Sequence, residues 1–417
     1  MKIVYTGEMD PRLCKEVLGA TIEKIVTEDE NTIYLDADLM SCSGTLKWAK
    51  QHPDRAIDCG IAESNMAGVA AGLAVAGYRP IIHSFGPFAS RRCYDQIFLS
   101  GGYGKNDITV IGTDPGVTAA MNGGTHMPFE DVALYSVLPG STVIDVSDPT
   151  CLESVLRQCV YRPGIKYIRV GRKQLARVYE DGSDLMIGKA VTLREGTDAV
   201  VFAAGIMLHE AMQAALSLEK QGVSVAVVDC FTIKPLDREA VVAWAKKTGA
   251  VVVAENANRH GGLYTAVLEA LAENCPVPAA CVAVEDEFGE VGTQGYLQKR
   301  FGLTAAHIEE QVKAVVGAGN LPGVGKRHLD ARGHEQHRAL KGAVYVVRAG
   351  GDVVATDGRQ PVDGARGKHR DVALRALWVE LACQELMRLD RLGKRDALGV
   401  CHLLALLDRG QRMLRAR

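Results

Sequence analysis

Short apolar segments alternate with helical segments along most of this chain, and this alternation constrains its fold more than any other feature. The predicted strands of the first part are residues 31–35, 79–85, 107–113 and 141–146, and the helices around them are residues 14–26, 62–76, 89–100 and 150–161. Apolar strands that are separated by helices form mostly parallel sheets covered on both faces. The sequence therefore predicts an α/β fold with doubly wound, mostly parallel sheets.

The same pattern starts again after a polar stretch at residues 179–184. The later strands are predicted at residues 199–203, 224–229 and 250–254, and the later helices at residues 207–221, 238–248 and 263–273. We therefore predict two α/β domains, over residues 1–178 and 190–316. In the second domain, residues 255–262 (ENANRHGG) are predicted to be a loop at a strand end.

Residues 317–417 differ from the rest of the chain in composition. They contain 19 Lys and Arg against 11 Asp and Glu, whereas the whole chain has a net charge of −2. Helical apolar spacing occurs at residues 372–389 and 398–407. We interpret this Arg-rich extension as frameshift or read-through translation, poorly ordered apart from one or two helices. Binding of RNA or another anion is the alternative, but only Tyr345 and Trp378 could stack on bases.

The overall composition limits the possible classes of protein. Hydrophobic residues make up 47% of the chain and charged residues 24%, as in soluble globular proteins. Neither a nucleic-acid partner nor a membrane partner is expected from the small net charge and the short apolar runs. Eleven scattered cysteines without a CxxC pair indicate reduced thiols. With no apolar signal segment at the N-terminus, we expect a cytoplasmic protein.

Three motifs in the first domain carry residues suited to chemistry. Residues 60–77 (GIAESNMAGVAAGLAVAG) place Glu63 at a helix start, where by itself a carboxylate most often interacts with the free amides of the first turn. Residues 84–88 (SFGPF) and 122–131 (NGGTHMPFED) follow predicted strands. Open α/β sheets bind ligands at the carboxyl ends of their strands. The occurrence of all three motifs in this order identifies a family more specifically than any one motif does.

Together these motifs resemble the pyrimidine-binding domain of transketolases and, less closely, that of deoxyxylulose-phosphate synthases. The resemblance continues through residues 232–237 (TIKPLD), 286–290 (DEFGE) and 302–304 (GLT), and so covers residues 1–316. It implies binding of thiamine diphosphate between two types of domain, usually across a dimer interface. The second domain would serve mainly in assembly.

The resemblance assigns cofactor roles to four residues. Glu63 would hydrogen-bond the aminopyrimidine ring, whose imino form removes the C2 proton of the thiazolium, so that Glu63 is a catalytic residue. Phe85 and Phe88 would hold the flat ring between apolar faces. Asp38 would be a further carboxylate at the cofactor site. Arg91 stands where transketolases often have a third aromatic residue.

Substrate roles follow from the same resemblance. His126 would bind substrate hydroxyls and assist proton transfer, and Arg172 and Arg12 would bind a substrate phosphate. The resemblance therefore implies a ketose donor, expected to be phosphorylated, and an aldose acceptor.

Three substrate positions depart from the family pattern. Asn122 replaces an aspartate that bonds a donor hydroxyl, and Asp114 replaces a second histidine. Cys42 replaces a phosphate-contacting serine, with Ser43 beside it. These departures leave open which sugar is used, and whether its acidic group is a phosphate or another anion.

The expected partner is an N-terminal transketolase subunit. The chain has no GDG motif, which in this family binds the diphosphate and Mg²⁺ or Ca²⁺, so those ligands are expected mainly from that subunit. No metal ligand is assigned here. A self-dimer within a heterotetramer is expected. Three alternatives remain open: a deoxyxylulose-phosphate synthase-like enzyme, the β subunit of a 2-oxoacid dehydrogenase, and a scaffold without activity.

Overall fold

A computed structural model describes residues 2–319 and two short strands in the region that follows. The chain divides into two compact units, Met1–Leu329 and Asp330–Arg417. In the second unit, β13 (Tyr345–Val347) and β14 (Val353–Ala355) pair antiparallel. The helices predicted over residues 372–389 and 398–407, and the predicted poor order of the extension, lie outside the described residues.

The first part of unit 1 alternates strands and helices as the sequence predicts. Its strands are β1 (Thr32–Asp36), β2 (Ala56–Asp58), β3 (Arg79–Phe85), β4 (Ile108–Thr113), β5 (Thr142–Asp145) and β6 (Ile165–Val170). Its helices are α1 (Cys14–Glu28), α2 (Met40–Ser43), α3 (Leu46–Ala49), α4 (Glu63–Val75), α5 (Gly86–Ala89), α6 (Tyr94–Gln96), α7 (Asp131–Ser136) and α8 (Pro149–Tyr161). A π-helix (Ile97–Tyr103) and two 3₁₀ helices (Gly116–Asn122 and Gly124–His126) complete this part.

The second part of unit 1 repeats the pattern. Its strands are β7 (Val191–Arg194), β8 (Ala199–Ala203), β9 (Val225–Asp229), β10 (Thr232–Lys234), β11 (Val251–Asn258) and β12 (Ala279–Val284). Its helices are α9 (Met207–Glu219), α10 (Arg238–Thr248), α11 (Leu263–Asn274), α12 (Gln294–Arg300) and α13 (Ala305–Gly319).

Each of the two domains is built on one mostly parallel sheet, which confirms the predicted α/β class. The first has the order β10-β5-β6-β4-β3-β1-β2 and is parallel except for β10. The second has the order β12-β11-β8-β9-β7 and is parallel except for β7. The central strands β4, β6 and β8 are buried along their whole length, as expected for parallel strands covered by helices on both faces.

The structure corrects several local predictions. Residues 89–100 are not one helix, because the chain breaks at Ser90 and then forms α6 and the π-helix. Residues 255–258 belong to β11 rather than to a loop. The boundary predicted after residue 316 falls inside α13, where Val315 is buried.

The segment TIKPLD contributes β10 to the sheet of the first domain rather than to its own. Its strand pairs antiparallel with β5. Lys234 Nζ then donates to the carbonyl oxygens of Ser136 and Leu138, at 2.7 and 2.6 Å. The second domain is therefore joined to the first by backbone pairing as well as by side chains.

A buried polar cluster also joins the two domains. Arg169 has no exposed surface, and it donates to the carboxylates of Asp131 and Asp145 at 2.9 and 2.6 Å and to the carbonyl oxygen of Asn256 at 2.9 Å. The Asn256 side chain accepts from Val117 N (3.0 Å) and donates to Pro115 O (2.8 Å). The second domain thus fixes the start of the loop that follows β4.

The DEFGE segment holds the end of the same loop. A Cβ atom on Gly124 would lie 2.1 Å from the carbonyl oxygen of Gly289, so the two backbones meet where a side chain would not fit. The loop from Asp114 to His126 is therefore held at both ends by the second domain.

Candidate active site

Parallel strands bring most of the predicted site residues to one edge of the first sheet. Strands β1, β3, β4 and β6 run side by side and in the same direction, so their carboxyl ends meet there. Phe85 ends β3, and Asp114 and Arg172 follow β4 and β6. Glu63 begins α4, just after the carboxyl end of β2. This is the edge at which open α/β sheets bind ligands.

Glu63 is a buried carboxylate, with 1% of its surface exposed. Ser84 Oγ donates to Oε1 at 3.3 Å. Arg92 Nη1 lies 2.8 Å from Oε1 and 3.0 Å from Oε2. A buried charge is tolerated only when it is paired and hydrogen-bonded, and in this structure Arg92 supplies that pairing.

Sequence reasoning missed Arg92. Its guanidinium also lies over the ring of Phe88, with Cζ 3.9 Å from the ring centroid, a cation–π contact. Its side chain is 44% exposed, so it reaches Glu63 from the solvent side. The two adjacent arginines that end the SFGPFASRR segment are the sequence feature that could have indicated a site residue here.

An aromatic cluster lies next to Glu63. Phe85 and Phe88 meet edge to face at 6.3 Å between centroids, and His126 lies 5.8 and 5.1 Å from their centroids. Nδ1 of His126 is 2.9 Å from Thr125 Oγ1. The structure thus brings His126 and both predicted aromatic residues together.

Arg172 is paired with a carboxylate. Arg172 Nε donates to Asp114 Oδ2 at 2.7 Å, Nη2 forms an ion pair with the same oxygen, and Nη1 donates to Cys42 Sγ at 3.3 Å. Burial alone would lower the pKa of Arg172, but the hydrogen bond and charge of Asp114 raise it. Its guanidinium lies 5.0 Å from the centroid of Phe85, which connects this cluster to the aromatic one.

A buried hydrogen-bond network supports the elements that carry Cys42 and Asp114. His83 Nδ1 lies 2.7 Å from Asp36 Oδ2, and its Nε2 lies 3.1 Å from Thr113 Oγ1, next to Asp114. Tyr34 OH donates to Asp36, and Ser43 Oγ lies 2.9 Å from the same hydroxyl oxygen. Burial raises the pKa of Tyr34 well above its usual value, so its hydroxyl remains a proton donor.

Ser43 belongs to this internal network, since its side chain is fully buried and also bonds Met40 O and Thr45 Oγ1. The structure therefore brings Cys42, and not Ser43, to Arg172.

The remaining predicted site residues lie outside these contacts. Arg12 is bound to Asp10 through Nε (2.9 Å) and Nη2 (2.8 Å), and Nη2 is also 2.9 Å from Asp181. Asp38 and Asn122 are exposed, and Asp38 has a left-handed backbone with a φ of 60°. These residues carry no observed link to the Glu63 or Arg172 clusters.

Arg91 lies at the rim of the site. Its Nε is 2.6 Å from Glu130 Oε1, and about half of its side chain is exposed. It therefore faces Glu130 from a position where the resemblance implies an aromatic wall.

These residues fit the aminopyrimidine half of thiamine diphosphate under one condition. A buried carboxylate beside two aromatic side chains suits a flat, polar-edged ring. Arg92, however, occupies both oxygens of Glu63 and one face of Phe88. Binding of the ring at Glu63 therefore requires Arg92 to move aside.

Among residues 2–319 and the two later strands, no group of three or more His, Cys, Asp or Glu side chains is arranged to hold a metal ion. Nor does this part of the chain contain a helix long and apolar enough to cross a membrane.

Comparison with known proteins identifies the family. Residues 12–177 match the transketolase pyrimidine-binding domain, and residues 188–308 match the transketolase C-terminal domain. The 6-deoxy-6-sulfo-D-fructose transketolase subunit SqwH of Clostridium sp. (strain MSTE9) is 48% identical over 281 residues, 67% of this chain and 87% of that protein. An apulose-4-phosphate transketolase subunit of Phocaeicola vulgatus is 31% identical over 291 residues, 70% of this chain and 93% of that protein.

A solved structure agrees with these matches. A split-gene transketolase, described as an inactive β4 tetramer, superposes with a TM-score of 0.68 and 35% identity, covering 73% of this chain and 98% of that one. The chain therefore belongs to the transketolase family and carries its pyrimidine-binding and C-terminal domains.

Proposed function

We propose that this chain is the C-terminal subunit of a split transketolase, which transfers a two-carbon ketol unit from an anionic ketose to an aldose. The observation that carries the proposal is the buried Glu63 carboxylate beside Phe85 and Phe88, with Arg172 connected to the same cluster through Phe85. A transferase of this kind needs a proton-sharing carboxylate and a substrate anion site close together, and this edge of the sheet holds candidates for both.

Each side chain has a separate role in the proposed reaction. When bound, thiamine diphosphate supplies the carbon nucleophile and the electron sink. The Glu63 carboxylate holds the proton at the pyrimidine ring nitrogen, and its low-dielectric surroundings strengthen that hydrogen bond. Phe85 and Phe88 exclude water from the ring faces. His126 binds and exchanges protons with substrate hydroxyls, and Arg172 binds the anionic end of the ketose.

The partner subunit is part of the proposal. Two relatives are named as subunits, and the solved relative comes from a split gene. We propose that the partner carries the diphosphate-binding domain and most of the ligands for Mg²⁺ or Ca²⁺.

We also propose a heterotetramer in which two copies of this chain pair with each other. Val69 and Val75 on α4 and Leu99 on the π-helix are exposed apolar residues that such pairing could cover. Light scattering of the purified complex should give the mass of two copies of each subunit. A stable heterodimer, with one copy of each, would contradict this stoichiometry.

A cytoplasmic location is proposed on the state of the thiols. All nine cysteines in the described part of the chain are free, and five of them are buried. This pattern is typical of proteins that fold under reducing conditions. Fractionation of the native cells would test it, and recovery of the chain outside the cytoplasm would contradict it.

Reconstitution tests the main proposal. The chain alone, the partner alone and the two together are assayed for ketol transfer with thiamine diphosphate and Mg²⁺. We expect transfer only from the mixture, and its loss in Glu63→Gln, which keeps the size of the side chain but removes the carboxylate. Glu23→Gln, the same substitution at an exposed carboxylate on α1, is the control and should retain transfer. Full activity of Glu63→Gln in the mixture would contradict the proposal.

A further inference from the structure

Two arginines lie beside the aromatic cluster, Arg92 against Phe88 and Arg172 against Phe85. Arg92 is paired with Glu63, and Arg172 is paired with Asp114. The Asp114 side chain is 4% exposed, whereas that of Arg172 is 28% exposed. The carboxylate therefore lies beneath the guanidinium, and the guanidinium is the partner that faces solvent. An anion that binds Arg172 must bind next to a fixed negative charge.

The pairing leaves Arg172 with only part of its binding capacity. A guanidinium has five N–H donors, and here three of them are directed at Asp114 and Cys42. When the contacts of the described residues are counted, two N–H donors remain to bind a ligand. The net charge of the Arg172–Asp114 pair is zero, so it offers hydrogen bonds to an anion without a net positive charge.

Asp114 is also held in place by its backbone. Its φ is 59°, in the left-handed region, and its N–H donates to Val170 O at 3.0 Å. Aspartate, asparagine and glycine tolerate this region better than other residues. Asn256 fixes Pro115 and Val117 immediately afterwards. These contacts fix the backbone that carries the carboxylate, and rotation of the side chain away from a bound anion would break its ion pair with Arg172.

We propose that Asp114 determines substrate specificity by selecting a ketose whose terminal group carries one negative charge, such as a sulfonate, over a phosphate monoester. A phosphate monoester carries about −1.5 to −2 charges at pH 7, whereas a sulfonate carries one. Both groups are tetrahedral with three terminal oxygens, and they differ in charge and in the bridging ester oxygen that only the phosphate has. Asp114 acts on the difference in charge. The additional charge of the phosphate is repelled by Asp114, and the neutral Arg172–Asp114 pair does not compensate for it.

The relatives do not decide between these anions. One is named for a sulfo-sugar and another for a sugar phosphate. The residues at the site must therefore carry the distinction. This inference rests on the proposed transketolase function, and it adds the class of substrate and the residue that selects it.

The test compares two donors in the complex reconstituted with its partner subunit. The donors are 6-deoxy-6-sulfo-D-fructose and D-fructose 6-phosphate, with the same acceptor. We expect the wild type to favour the sulfonate in kcat/KM. Asp114→Asn keeps the size, the left-handed backbone and a hydrogen-bond acceptor for Arg172, but removes the charge. It should change the sulfonate-to-phosphate ratio in favour of phosphate by roughly 10- to 100-fold, mainly through KM.

Two further variants separate selection from a general loss of structure. Asp114→Gly suits the left-handed backbone and should change the ratio in the same direction, even if Asp114→Asn folds poorly. Asp29→Asn removes an aspartate that pairs with Arg79 at the opposite end of the sheet, and it should leave the ratio unchanged. A purely structural role for Asp114 would lower both kcat/KM values together and leave their ratio fixed.

The outcomes distinguish the two proposals. Transfer from both donors with a ratio that neither Asp114 variant changes would overturn this inference and leave the transketolase function standing. A wild-type complex that prefers phosphate would also overturn it. Absence of transfer from any ketose by a well-assembled complex would overturn the proposed function itself, and this inference with it.

Discussion

Asp229 is a buried carboxyl group between the two α/β domains, and it should make the stability of the chain depend on pH. Its Oδ2 accepts from Ser147 Oγ at 2.6 Å and from Tyr179 OH at 2.7 Å, and its side chain has no exposed surface. Burial raises the pKa of Asp229 from 3.8 to about 7, although these two hydrogen bonds act in the opposite direction.

The sign and size of the effect follow from this pKa. Because the pKa is higher in the folded state than in the unfolded state, the protonated form stabilises the fold. That stability is fully present below about pH 4 and is lost as the pH rises through about 7. Each pH unit below the folded pKa corresponds to about 1.4 kcal/mol. Between pH 5 and pH 8 the wild type should therefore lose about 2.5 kcal/mol from this group.

Asp229→Asn isolates this contribution. Asparagine resembles the protonated acid, because it is neutral and its oxygen can still accept from Ser147 and Tyr179. The variant should be more stable than the wild type at both pH values, and its advantage in the free energy of unfolding should grow by about 2.5 kcal/mol between pH 5 and pH 8. Urea unfolding followed by circular dichroism at pH 5, 6, 7 and 8 measures the difference. Asp184→Asn on the surface is the control. If the Asp229→Asn and wild-type curves remain parallel across this range, Asp229 does not titrate as argued.

Three further predictions concern other contacts. Arg92→Gln leaves the buried Glu63 charge poorly paired and should lower the stability of the isolated chain by about 1–3 kcal/mol. Arg92→Gln combined with Glu63→Gln should cost less stability than the sum of the two single changes, and additive costs in thermal unfolding would show that the pair is not coupled. Asn256→Ala removes two buried hydrogen bonds to the loop after β4, so it should lower the free energy of unfolding by about 2–4 kcal/mol and raise KM for the ketose. An unchanged KM would show that this loop does not support the substrate site. A chain that ends at Gly319 keeps all of α13 and should match the full chain in solubility and reconstituted transfer, so a loss of assembly would make residues 320–417 a functional part of the protein.

The fold was predictable because its signals are local. Wholly apolar strands such as residues 199–203 and 250–254 alternate with helices, and this alternation is enough to indicate parallel sheets. The pairing of β10 with β5 could not be predicted, because three residues carry little pattern and their partner lies about ninety positions earlier in the chain. The break at Ser90 was also hidden, because residues 89–100 have the apolar spacing of one helix.

The site was predictable only as far as ordered motifs extend. Glu63, Phe85, Phe88 and His126 lie in such motifs, and the structure places them together. Arg92 was missed because its contact with Glu63 depends on the course of the chain after Ser90 and not on spacing. The Arg172–Asp114 pair was missed for the same kind of reason: the sequence shows both residues, but only the adjacency of β4 and β6 brings them into contact.

The exchange of the C2 proton of thiamine diphosphate for deuterium tests the central claim, the role of Glu63, most directly. It is measured in the complex reconstituted with the partner subunit, and it does not require a sugar. We expect Glu63→Gln to slow this exchange by on the order of 10²-fold or more. Arg172→Gln removes the cation of the proposed anion site and leaves the Glu63 carboxylate in place, so it should exchange at nearly the wild-type rate. A wild-type rate of exchange in Glu63→Gln would contradict the assignment of the catalytic carboxylate and the function built on it.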